Sequence, residues 1–109
     1  MEKLTGHKKI KTAIFISGRG SNLNNLIKFS KTKKSPIIID LVIANKQAKG
    51  LKYADQYKIL KKIINFKKSK IAEQKILSIL EKKKINFICL AGFMKILSNN
   101  FIKKFKGKI

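Results

Sequence analysis

Tryptophan is absent, and cysteine, histidine and proline occur once each, at Cys89, His7 and Pro36. A single cysteine cannot form a disulfide within the chain, so no covalent framework holds this fold. Cys89 sits inside the apolar run Phe87-Ile88-Cys89-Leu90-Ala91 and is expected to be a buried, reduced core thiol. A catalytic thiol is not expected, because the only histidine lies in the basic N-terminal stretch. No metal is expected either. No apolar stretch reaches 18 residues, so no transmembrane helix is indicated. The N-terminus lacks the apolar core of a signal peptide, and the expected location is the cytoplasm.

Acidic side chains are also scarce. There are 5 against 27 basic residues, giving a net charge of +22. Such a balance raises a nucleic-acid or other polyanion partner. The kind of basic residue argues the other way. Arg19 is the only arginine, and arginine is the residue suited to bidentate phosphate and base contacts. The lysines are spread along the whole chain, and Lys, Ile, Asn and Phe are frequent together, the pattern of an AT-rich coding sequence. A solvated basic surface is therefore expected, and a nucleic-acid partner is not.

What is present suits one domain. At 109 residues and 44% hydrophobic content the chain can bury roughly two-thirds of its unfolded surface. Residues 1–10 are polar and basic and read as a mobile tail, leaving 11–109 as the folded domain. Thr12 to Ile16 is a short apolar run closed by Ser17-Gly18, which reads as a strand covered on both faces. Leu23, Leu26 and Ile27 then fall on one side of a helix, with Ser21 or Asn22 as its N-cap. Pro36 punctuates before a second strand, Ile37 to Ala44. Leu51, Ala54 and Asp55 begin a short helix. Ile59 to Phe66 is a weaker third strand, whose Lys61 and Lys62 fit a sheet edge. A helix from Ser69 to Lys83 carries Ala72, Ile76, Ile79 and Leu80 on one face. Ile85 to Ala91 is a fourth strand closed by Gly92. Ser98 caps a last helix carrying Phe101, Ile102 and Phe105, Gly107 ends it, and Lys108-Ile109 can begin a fifth strand.

Strands alternating with helices predict an α/β fold: a Rossmann-like parallel sheet of about four strands with helices on both faces. In such a sheet ligands sit beyond the carboxyl ends of the strands, where strand order reverses. Two segments meet that description. The first is Ser17-Gly18-Arg19-Gly20-Ser21-Asn22, joining the first strand to the first helix. Glycine lets an anion approach the backbone, and the free N–H groups and dipole of a helix start favour it by about 0.3–1 kcal/mol. The segment is not a full G-x-G-x-x-G, since Leu23 fills the third glycine position, nor a Walker loop. A tight turn without a ligand is the alternative. The second segment is Leu90-Ala91-Gly92-Phe93-Met94-Lys95-Ile96-Leu97-Ser98, after the fourth strand. If the strand order is third, second, first, fourth, the two stand side by side, a phosphate turn beside an apolar wall of Met94, Ile96 and Leu97. Ordinary core packing of Phe93, Met94, Ile96 and Leu97 is the alternative.

Taken together, Ile16 to Leu23 and Leu90 to Ser98 resemble the phosphate turn and the folate loop of the glycinamide ribonucleotide formyltransferase family. Ile43-Ala44-Asn45-Lys46, with Ala48, Gly50, Leu51 and Ala54, is similar to the family's second strand and helix. The resemblance covers about residues 11–109, roughly the first half of a family member. It implies formyl transfer from 10-formyltetrahydrofolate to the amine of glycinamide ribonucleotide, a step of purine synthesis. It implies that Gly20, Ser21 and Asn22 grip the acceptor's phosphate. Met94, Lys95, Ile96 and Leu97 would line the pocket of the pteridine ring, largely through backbone, with Leu90, Phe101 and Ile102 completing the wall. Lys95 stands where Arg is common in the family, and a further basic folate contact aligns near Ser69, flanked by Lys68 and Lys70. In the family an Asn-x-His-Pro segment follows the position of Gly107, and its Asn and His, with a later Asp, stabilise the tetrahedral intermediate and move protons. None of these is present here, so no catalytic residue is assigned, and the polypeptide is expected not to catalyse transfer by itself. Two other readings stay open: a freestanding phosphate-binding module, and a basic nucleic-acid binder.

Overall fold

A computed structural model describes residues 9–109. Four strands and four helices alternate: β1 (Ile10–Ile16), α1 (Ser21–Ser30), β2 (Ile37–Ala44), α2 (Leu51–Gln56), β3 (Leu60–Ile63), α3 (Ser69–Lys82), β4 (Phe87–Leu90) and α4 (Asn99–Lys104). All pairings are parallel, and the strands lie in the order β3-β2-β1-β4. The order reverses at β1, so β1 and β4 flank the switch point.

The continuous apolar runs of β1 and β2 follow from burial on both faces. Ala13 and Phe15 of β1, with Leu41 and Ile43 of β2, pack under Ala72, Ile76 and Leu80 of α3 and Phe101 of α4. Ile14, Ile16, Val42 and Ala44 alternate with them and pack on the other side, under Leu23 and Ile27 of α1 and Leu51 and Ala54 of α2. Each fully buried Ile, Leu or Phe contributes roughly 1.5–3 kcal/mol relative to exposure. One irregularity interrupts the β1–β2 ladder. Thr12 pairs with Ile39 and Ala13 with Leu41, so Asp40 is out of register. Its Oδ2 lies 3.6 Å from Lys11 Nζ.

Several expectations are corrected. Of the tail assigned to residues 1–10, residues 1–8 lie outside the described residues. Ile10 already belongs to β1, and Lys9 donates from Nζ to the carbonyls of Ser30 and Thr32 at the end of α1. The N-cap of α1 is Gly20 rather than Ser21 or Asn22. It has φ 78° and no side-chain cap, because this turn is shaped by glycine packing instead. Cys89 is only half-buried. β4 lies at the end of the sheet, and Cys89 lines a hollow there between β4 and α1. Of the two expected wall residues on α4, Ile102 is half-exposed, whereas its neighbour Phe101 is fully buried in the core.

Other details follow the sequence. Lys61 and Lys62 lie in β3, the terminal strand, where Lys61 pairs with Asp55 at 2.7 Å. Ser98 caps α4, accepting from Phe101 N–H at 3.1 Å. α4 itself ends at Lys104, short of the Phe105 it was expected to carry and the Gly107 expected to end it, because the chain turns extended at Phe105. Gly107 instead lies so close to the Asn86 carbonyl that a Cβ would collide with it. This approach brings Lys108 alongside β4. Its N–H donates to Asn86 O at 2.9 Å and its carbonyl accepts from Ile88 N–H at 2.8 Å, a parallel bridge that opens a fifth strand position. Among the described residues no helix is long and apolar enough to cross a membrane.

Candidate functional site

The carboxyl ends of β1, β2 and β4 meet at one place, and a serine joins them. Ser17, immediately after β1, is buried. Its hydroxyl donates to Asn45 Oδ1 after β2 at 2.6 Å and accepts the Met94 backbone N–H after β4 at 2.8 Å. The Ala91 N–H donates to Phe15 O at 2.9 Å, which holds the same loop one step closer to the sheet. The two segments singled out in the sequence are therefore neighbours.

The glycine turn has two distinct halves. Gly20 is pressed against Gly50 at the start of α2, where an added Cβ would stand 2.6 Å from Gly50 Cα. The Gly50 N–H donates to Gly18 O at 3.0 Å, which ties the first turn to the second. Close backbone packing thus accounts for Gly20. Gly18 is exposed, and a Cβ there would meet nothing within 4 Å. α1 begins at Ser21 with no side-chain cap and no acidic residue in its first turn. Its first N–H groups have no partner within the helix, and the positive end of the helix dipole faces outward beside exposed Ser21 and Asn22. This arrangement suits an anion.

The second segment is partly core and partly not. Phe93 turns inward and meets Phe15 and Phe66 edge-on, with ring centroids 5.3 and 5.5 Å apart. Leu97 is half-buried against the same cluster. Between them Met94 is 76% and Ile96 91% exposed, which is incompatible with ordinary core packing. A hollow of about 540 Å³ is lined by Leu90, Lys95, Ile96, Leu97 and Ile102, among others. The side chain of Met94 is not among its lining residues. Phe101, expected on the wall, is buried in the core instead. A second hollow of about 430 Å³ lies between α1 and β4 and includes Asn22, Asn25, Phe29, Cys89 and Leu90. Leu90 borders both hollows, so the one beside Asn22 and the one beside Ile96 adjoin. Burial pushes the Cys89 thiol above its ordinary pKa, which keeps it protonated and weakly nucleophilic.

A larger hollow, about 650 Å³, lies at the amino end of the sheet, between the α3–β4 turn and α4, lined by Leu77, Lys84 and Phe105 among others. It has no glycine turn, so size does not select the site; strand topology and the glycine turn do. Ser69 opens α3 with its hydroxyl turned back to Phe66 O at 3.2 Å, and it lines neither hollow at the carboxyl ends. His7 lies outside the described residues. Among the described residues no group of three or more His, Cys, Asp or Glu side chains comes together.

Two residues of this region were not singled out from sequence. Asn45 was noted only as part of a strand end, and Glu73 only as an unmarked position of α3. Glu73 is buried, and its carboxylate accepts both the N–H of Ser98 at 2.8 Å and its hydroxyl at 2.6 Å. A buried acid on the apolar face of a helix is a readable signal, since such a group requires a donor.

Comparison with known proteins bears on the family and the fold. The family described as "Formyl transferase" matches residues 10–109. The trifunctional purine biosynthetic protein adenosine-3 of Homo sapiens is 42% identical, over 97% of this chain and 11% of its own length. The phosphoribosylglycinamide formyltransferase of Haemophilus influenzae is 37% identical, over 91% of this chain and 49% of its own. Among solved structures, the phosphoribosylglycinamide formyltransferase of Brucella melitensis is 36% identical. It superposes with a TM-score of 0.85 over 92% of this chain and 54% of that one. The chain thus spans about half the length of these two phosphoribosylglycinamide formyltransferases and about a tenth of the trifunctional protein. With one family matched across nearly the whole sequence and the fold shared with its solved members, this chain belongs to the formyl transferase family.

Proposed function

We propose that this chain supplies the phosphate-binding and pterin-binding half of a phosphoribosylglycinamide formyltransferase acting in cytoplasmic purine synthesis. In the full reaction the amine of glycinamide ribonucleotide attacks the formyl carbon of 10-formyltetrahydrofolate. A tetrahedral intermediate forms, its bond to N10 of the folate breaks, N10 gains a proton and the amine loses one. Gly20, Ser21 and Asn22 take the acceptor's phosphate, through the unpartnered N–H groups that open α1. Lys95, Ile96 and Leu97, with Leu90 and Ile102, receive the pteridine ring in the adjoining hollow. Met94 takes part through its backbone, which is held by Ser17. The single observation carrying this reading is that Ser17 hydrogen bond, which sets the phosphate turn and the apolar loop against each other.

The 109 residues contain one histidine, His7, and no Asn-x-His-Pro segment. Binding without turnover is the expectation for this polypeptide by itself. Calorimetry on the 109-residue chain tests it. Glycinamide ribonucleotide and 10-formyltetrahydrofolate should each bind, and removing the acceptor's phosphate should weaken its binding by about tenfold or more, the scale of a lost charge-assisted contact. Binding of the ribonucleotide alone would point to a phosphate-binding module, and binding of neither would end the proposal.

A further inference from the structure

The loop that carries the apolar wall has little packing to give it a shape. From Gly92 to Ser98 only Phe93 and Leu97 pack against the core, and Ile96 stands 91% exposed. Its two ends are nonetheless fixed by buried polar side chains. At one end Ser17, 1% exposed, accepts the Met94 N–H and is itself oriented by donating to Asn45. At the other end Glu73, 6% exposed, accepts two hydrogen bonds from Ser98, whose hydroxyl in turn accepts the Phe101 N–H and starts α4. Neither Ser17 nor Glu73 lines a hollow.

For stability alone, burying a carboxylate on α3 is a poor choice. Desolvating it is expensive, and an apolar side chain would pack there at lower cost. What the carboxylate does provide is geometry: two charge-assisted bonds that fix Ser98 in direction as well as distance. The geometry points to Ser17 and Glu73 as positioning residues, a two-ended clamp that holds Lys95, Ile96 and Leu97 in the shape that receives the pterin. This inference rests on the functional reading above and adds to it the groups that preorganise the folate loop.

The test uses the 109-residue chain and two readouts. The first is amide hydrogen exchange at Met94 and Ser98, with the amides of Ile14 and Val42 in the central strands as a check on the fold. Ser17→Ala should speed exchange at Met94, and Glu73→Ala at Ser98, each by about three- to tenfold, the span of one ordinary hydrogen bond. Glu73→Gln keeps one acceptor oxygen and the side-chain volume, and should fall between wild type and Glu73→Ala. The second readout is calorimetry with 10-formyltetrahydrofolate and glycinamide ribonucleotide. Glu73→Ala should lose folate affinity by at least about threefold while ribonucleotide affinity stays within about twofold. Unchanged exchange at Met94 in Ser17→Ala overturns the clamp. So does faster loop exchange with unchanged folate affinity. Absence of any folate binding by the unaltered chain overturns the reading of the site itself, and the positioning role falls with it.

Discussion

At Gly20 the backbone sits at φ 78°, and an added Cβ would stand 2.6 Å from Gly50 Cα and 3.3 Å from the Tyr53 ring. The positive φ alone costs an L-residue roughly 1–2 kcal/mol. The collision with backbone adds to that, because neither α1 nor α2 can retreat without uncovering Leu23 or Leu51. Gly20→Ala is therefore expected to cost about 2–4 kcal/mol of unfolding free energy, a large part of an ordinary domain's stability. Gly18, two residues earlier, has open space where its Cβ would be. Gly18→Ala should stay within about 0.5 kcal/mol of wild type. Urea denaturation of both variants separates the readings. Equal losses would mean that the turn is constrained as a whole, and a neutral Gly20→Ala would remove the role given to the Gly20–Gly50 contact. The glycine pattern was visible in the sequence, but its cause was not. A one-dimensional pattern shows that a residue lacks a Cβ; it does not show that another turn of the chain fills the space. The contacts of Ser17 and Glu73 were hidden for the same reason, since their partners Met94 and Ser98 lie 77 and 25 residues away.

The helices and strands show which local signals are sufficient. Ile37–Ala44 has the bounds expected from its apolar run, because β1 pairs with β2 from Ile37 to Ala44 and β3 joins on the other side from Leu41 to Ala44. β3 and β4 are shorter than their apolar runs. β3 stops at Ile63 because its partner strand ends at Ala44, although Ile64 N–H still donates to the Ala44 carbonyl. β4 starts at Phe87 because Ile85 is used to close α3. Its N–H donates to Leu80 O at 2.9 Å while that of Lys84 donates to Glu81 O at 3.1 Å. This closure requires a left-handed residue after the helix, normally glycine or asparagine. Here it is Lys84, at φ 57°, and α2 ends the same way with Lys58 at φ 58°. Lysine gives no sequence signal for such a turn. Replacing Lys84 by glycine relieves the steric cost of the conformation and gains flexibility in the unfolded chain, two opposed effects. The steric relief is the larger, so Lys84→Gly is expected to stabilise by about 0.5–1 kcal/mol. A lowered urea midpoint in Lys84→Gly would show that the lysine side chain contributes more than its backbone strain costs.

For the molecule as a whole, charge is the term left uncompensated. The chain carries +22, and only four of its acidic residues, Asp40, Asp55, Glu73 and Glu81, lie in the described fold. Asp40 and Asp55 form ion pairs with Lys11 and Lys61, but those pairs are largely solvated and contribute at most about 1 kcal/mol each. Glu73 is committed to Ser98 and screens little of the surface. The remaining lysines repel one another on a domain only 18 Å across its thinnest axis, a distance comparable to the range of the field in dilute salt. Self-repulsion destabilises the compact state relative to the unfolded chain, in which the charges move apart. Raising sodium chloride from about 0.03 to 0.5 M shortens the screening length from well over 10 Å to under 5 Å. Stability should therefore rise with salt, by on the order of 1 kcal/mol, the worth of a few exposed like-charge contacts. Sodium sulfate at equal ionic strength should add to this, because its dianion suits the uncapped start of α1 as well as screening the surface. Thermal unfolding across both salt series measures the two effects. A midpoint independent of chloride would mean that the lysines are spaced widely enough to ignore one another. Equal responses to sulfate and chloride would leave the start of α1 without evidence of anion affinity.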